Sequence, residues 1–125
     1  MPALEPLTGL RVVADPAALE AASWQGDGVT VLRLAPDDAF ALGAVGIDVD
    51  DDHAIVESEA GFAGAWFPLD DVLAHVEWSL PAERPALAQG SIAGVPAKLW
   101  LPSGGADALL VTAAAYADEL AGRLR

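Results

Sequence analysis

Short apolar runs, and few long amphipathic stretches, set the pattern of this 125-residue chain. LRVVAD (10–15) and VTVLRL (29–34) are rich in aliphatic and β-branched residues and read as strands. Between them, PAALEAASW reads as a short Ala-rich helix. Asp15 is placed to cap it, Pro16 suits its first position, and QGDG ends it. APDD (35–38) bends the chain before the apolar AFALGAVGI. After an acidic stretch, HAIVESEAGFAGAWF (53–67) reads as one long strand or two short ones. Gly61 and Gly64 within it suggest a bulge or the close approach of another element.

The clearest helical pattern is PLDDVLAHVEWSLP (68–81). Leu69, Val72, Leu73, Val76 and Leu80 fall on one stripe, Asp70 and Asp71 lie in the first turn where the dipole favours anions, and Pro81 closes it. GSI and VPAKLWL flank Ala93-Gly94 and read as a hairpin. DALLVT (107–112) reads as a further strand. Thr112 can cap a last helix, AAAYADELAGRLR, with Ala113, Tyr116, Ala117, Leu120 and Leu124 on its apolar stripe. This order of elements predicts an α+β fold: a ferredoxin-like, split βαβ sandwich with helices packed on one face of an antiparallel sheet. One domain over 1–125 is expected, with 1–28 as a strand-helix extension and 29–125 as the core.

Charge changes the picture. The net charge is -13, and no Lys or Arg occurs between Arg33 and Arg84, a segment that holds twelve acids. Phosphate binding rests on Lys and Arg, so nucleic acid and anionic membranes are not expected partners. The acidic face is a solvated, self-repelling surface or a docking face for a basic partner. Cysteine is absent, which excludes disulfides, thiolate ligands and thiol nucleophiles. The opening MPALEPLTGLRVV has no basic start followed by an apolar run, and no stretch has the roughly 20 apolar residues of a membrane span, so a cytoplasmic protein is expected.

Little in the chain looks like chemistry. In GIDVDDDHAIVESE (46–59), Asp48, Asp50, Asp52, Ile55 and Glu59 share part of the spacing of an EF-hand calcium loop. His53 stands where that loop requires glycine, and the flanks read as strands, so an exposed connection is the expectation and no metal is assigned. His53 and His75 lack the partners of a zinc site. The nucleophile-elbow and phosphate-loop patterns do not occur. Asp37-Asp38 and Asp70-Asp71 are accounted for by a turn and a helix start. The tryptophans say more. On a helix over 68–81, Trp78 points away from the apolar stripe, with His75 beside it, and the two are candidates for an interface. The other reading folds Trp78 back along the helix end near Pro81. Trp66 and Trp100 fall in strands, as core residues or as the lining of a ligand pocket.

Three stretches carry a family resemblance: LRLAPDDAFALG (32–43), SIAGVPAKLWL (91–101) and ALLVTAAAYADELAGRL (108–124). They resemble the gamma subunit of heterotetrameric sarcosine oxidase, a family related to the folate-binding aminomethyltransferases of glycine cleavage. SLPAERPALAQG (79–90) departs from it, since Ser79 and no cysteine stand where a Cys-Pro pair is expected, and the acidic middle is unusual. In that family, flavins, nicotinamide cofactor and catalytic residues belong to other chains. The resemblance therefore implies a non-catalytic accessory protein, without cofactors or catalytic residues of its own, that binds a larger partner or itself as a homo-oligomer. A free-standing domain that binds a small molecule, such as a folate-like one-carbon carrier, is the alternative.

Overall fold

A computed structural model describes residues 3–124. Met1 and Pro2 of the expected N-terminal extension, and Arg125 of the expected last helix, lie outside the described residues. The chain runs β1 (Glu5–Val13), α1 (Pro16–Glu20), β2 (Ser23–Gln25), β3 (Thr30–Ala35), β4 (Asp38–Leu42), β5 (Gly46–Asp48), β6 (Ile55–Pro68), α2 (Leu69–Leu73), β7 (Ala86–Ile92), β8 (Val95–Leu101), β9 (Asp107–Ala113), a 3-10 turn (Ala114–Tyr116) and α3 (Ala117–Arg123). It divides into two compact units, Leu7–Ala60 and the described residues of Met1–Pro6 with Gly61–Arg125.

The ferredoxin-like α+β expectation is overturned. Among the described residues the chain is mostly strand, and its three α-helices span only five, five and seven residues. The reason lies in how two apolar stripes are used. The helix expected over 68–81 stops at Leu73, after which Val76 bridges Ile92 and the amide of Ala93 donates to the carbonyl of His75. Val76 and Leu80 thus reach the core from non-helical backbone rather than from helical turns. Thr112 does not cap the last helix either. It is a buried residue of β9, and its hydroxyl donates to the carbonyl of Pro96 at 2.8 Å. The helix itself starts five residues later, at Ala117.

In the Leu7–Ala60 unit, β1 pairs antiparallel with β4, and β4 with β3. Asp15 caps α1 by accepting from the amide of Ala18, with Pro16 in the first turn, as expected. Leu19 of that helix joins Val12, Ala14 and Ala39 in a small core, with Trp24 and Ile47 from the paired β2 and β5 packed against it. Gly9 is dictated by close approach: a Cβ there would stand 2.0 Å from the carbonyl oxygen of Ala41.

The other unit carries the larger core. Its strand order is β6-β9-β8-β7, with antiparallel ladders. The expected hairpin forms, and Ala93 and Gly94 between Ile92 and Val95 both have positive φ, 50° and 79°. That is the two-residue turn whose twist matches the flanking strands. From Ile55 on, HAIVESEAGFAGAWF forms one long strand, β6 (Ile55–Pro68), rather than two short ones. Phe67, Val72, Ile92, Leu99, Leu101, Leu110 and Leu120 gather in the core.

Two glycines test this packing. Gly9→Ala should cost about 3 kcal/mol, because a rigid carbonyl must move. Gly122→Ala, in α3 with open space around it, should add up to about 1 kcal/mol through helix propensity. Urea unfolding of both variants checks the pair, and equal stabilities would contradict the strand geometry around Gly9.

Candidate functional site

The ladder that builds the larger core also sorts side chains onto two faces. Residues in register across antiparallel strands share a face. Trp66 of β6 is in register with Leu109 of β9, Leu109 with Trp100 of β8, and Trp100 with Leu87 of β7. The result is a four-residue row, Trp66-Leu109-Trp100-Leu87, on the face opposite Phe67, Ala108 and Leu101. Leu109 is fully buried, Trp100 and Leu87 are half-buried, and Trp66 is 44% exposed. Both indoles named from the sequence as pocket candidates therefore stand in one row, bracketing a buried leucine.

Trp78 sits elsewhere. It follows the end of α2 in irregular backbone and packs against the core cluster. Its indole lies over Gly90, where a Cβ would come within 3.0 Å of two ring carbons. His75, half-buried, lies in the turn after α2, its amide donating to the carbonyl of Val72. The structure does not bring Trp78 and His75 into the row of Trp66 and Trp100.

The acidic stretch is tied to its own backbone. The carboxylate of Asp51 accepts from the amides of Asp15 at 2.7 Å and His53 at 2.9 Å. These bonds hold its pKa below the usual carboxylate value, the Asp15 amide contributing most. Asp48 accepts from the side-chain amide of Gln25. No group of three or more His, Asp or Glu side chains arranged to hold a metal occurs among the described residues. Asp51 is thus an anchor between the start of α1 and the 48–54 connection.

The strongest charged constellation was not legible in sequence. Arg11 of β1 makes two hydrogen bonds to Asp38 of β4, at 2.6 and 2.7 Å, and a third to Glu59 of β6 at 3.1 Å. These carboxylates raise the guanidinium pKa, the hydrogen bond to Asp38 being the largest cause. The separations, 27 and 48 residues, leave no local pattern to find. An open cleft of about 430 Å³ lies beside this cluster, lined by Thr8, Gly9, Gly43, Ser58 and Glu59 among others.

No family model matches the sequence, and no curated protein does. Among solved structures, the fold is similar to that of a chain in the heterotetrameric sarcosine oxidase from Corynebacterium sp. U-96 in complex with pyrrole 2-carboxylate, with a TM-score of 0.66 at 16% identity. The match covers 95% of this chain and 77% of that chain. At that identity the likeness is one of fold, and at that level it agrees with the resemblance read from residues 32–43, 91–101 and 108–124.

The Asp51 anchor has a pH signature. A carboxylate with a depressed pKa stabilises the fold above the ordinary carboxylate range, and that contribution is lost as pH falls through the depressed value. Asp51→Ala should lower Tm at neutral pH, and the gap to the parent chain should close well below about pH 4. A gap that stays constant in acid would mean the carboxylate charge is irrelevant. In the same thermal scans, added calcium should shift the parent chain no more than matched ionic strength does.

Proposed function

We propose that this chain is a non-catalytic accessory subunit that docks on a larger protein, in the manner of the gamma subunit of a flavin-dependent amine oxidase. The observation that carries this reading is the fold match, over nearly the whole chain, to one chain of a heterotetrameric oxidase. Two further features support it. A tryptophan of the sheet, Trp66, is 44% exposed, and aromatic residues of that kind are enriched at the centres of protein interfaces. The best-placed charged side chains, Arg11, Asp38, Glu59 and Asp51, are spent on holding strands and a helix start together. In this reading the chain contributes contact area and partner geometry, and redox chemistry belongs to the partner.

Native size-exclusion chromatography of the tagged full chain from its source cells checks the proposal. The chain should elute with a larger polypeptide that carries flavin absorbance, identified by mass spectrometry. Elution as a lone monomer under all conditions would refute the accessory role.

A further inference from the structure

The QGDG turn between β2 and β3 carries a reactive pair that the accessory role does not use. Asp27-Gly28 is the one Asp-Gly step in the chain. Both residues are exposed. Gly28 has a positive φ of 59°, and a Cβ placed on it would meet no atom within 4 Å. Among the described residues, no hydrogen bond engages the amide of Gly28, and no ion pair or side-chain hydrogen bond engages the carboxylate of Asp27. A backbone nitrogen and the carboxyl carbon it can attack thus stand in adjacent residues, with neither group held by a partner.

The segments on either side are fixed. Gln25 is in register with Gly46, and its carbonyl accepts from the amide of Val45 at 2.8 Å. Thr30 is in register with Leu42. Gly26 is pressed against the backbone, where a Cβ would stand 2.5 Å from the carbonyl oxygen of Gly43. Any change of backbone length within the turn therefore falls on the strands. Other positions lack the same opportunity. Asp15 precedes Pro16, which has no amide hydrogen to lose, and every remaining aspartate precedes a residue whose side chain crowds its own amide. Asparagine is absent, so its deamidation does not compete.

We propose that Asp27 is a site of spontaneous isomerisation to isoaspartate, and that this modification weakens the pairing of β2 with β5. The nitrogen of Gly28 bonds to Cγ of Asp27. The amide proton and the hydroxyl of the protonated carboxyl leave as water, which closes a cyclic imide. Water then adds at the main-chain carbonyl carbon of Asp27, and the bond from that carbon to the Gly28 nitrogen breaks. The chain now runs through Cγ and is longer by a methylene, with the former main-chain carbonyl as a free carboxylate. Addition at Cγ instead restores aspartate. One water leaves and one returns, so the step needs no oxidant, enzyme or cofactor. The added methylene strains a turn whose two ends are already paired, and Trp24 and Ile47, in register across β2 and β5, lose packing against the small core.

The experiment ages the full chain in neutral buffer at physiological temperature, then maps tryptic peptides by electron-transfer mass spectrometry. Cuts after Arg11 and Arg33 release residues 12–33, which hold both Asp15 and Asp27. Isoaspartate should accumulate at Asp27 with no change of mass, and methyl label transferred by an isoaspartyl methyltransferase should rise in parallel. Asp27→Glu, whose ring closes more slowly, should fold like the parent and lose nearly all of the label. The aged parent should melt below the fresh chain, while aged Asp27→Glu should keep its Tm. Absence of isoaspartate at Asp27 in the aged folded chain would overturn the site, whatever a guanidinium-unfolded control forms. Label that persists in Asp27→Glu would overturn it as well. Isomerised chain with an unchanged Tm would overturn the coupling to β2 and β5. The accessory role is independent of all these results.

Discussion

Antiparallel register across β6, β9, β8 and β7 is the constraint on which the larger unit depends. Side chains alternate between faces with a period of two, so a slip of one residue would exchange the two faces completely. In the observed register, Phe67, Ala108, Leu101, Leu110 and Leu99 point into the core, while Trp66, Leu109, Trp100 and Leu87 form the opposing row. The Ala93-Gly94 turn sets the β7-β8 part of that register, because a two-residue loop with both φ angles positive leaves no freedom in strand offset. The buried hydroxyl of Thr112, held by the carbonyl of Pro96, ties β9 to β8 on the core side.

The smaller unit solves a different problem. It holds most of the acids of a strongly acidic chain and must keep them from prying its strands apart. Four of them have partners that tie elements together: Asp38 and Glu59 share Arg11, Glu20 takes Arg33, and Asp51 accepts two backbone amides. The exposed pairs contribute modestly to stability, but they fix direction. Arg11 in particular sits between carboxylates of β4 and β6, and its two bonds to Asp38 have the fork geometry that makes guanidinium pairing specific.

Local chemistry determined a large part of the outcome. The Asp15-Pro16 helix start, the β-branched run at 30–35, the long strand through 55–68, the Ala93-Gly94 hairpin and the gamma-subunit-like landmarks were all legible, because each depends on residues adjacent in sequence. The fold class was not. The apolar stripe over 69–80 fits a helix as well as it fits a short helical turn followed by an extended segment, and tertiary pairing of Val76 with Ile92 chose the latter. The same holds for Thr112, which local rules made a cap and the β8-β9 packing made a buried strand residue. Arg11 with Asp38 and Glu59, and Trp66 beside Leu109 and Trp100, were decided only in three dimensions. Sequence patterns report periodicity along one element, whereas these arrangements depend on which strands become neighbours and in what register.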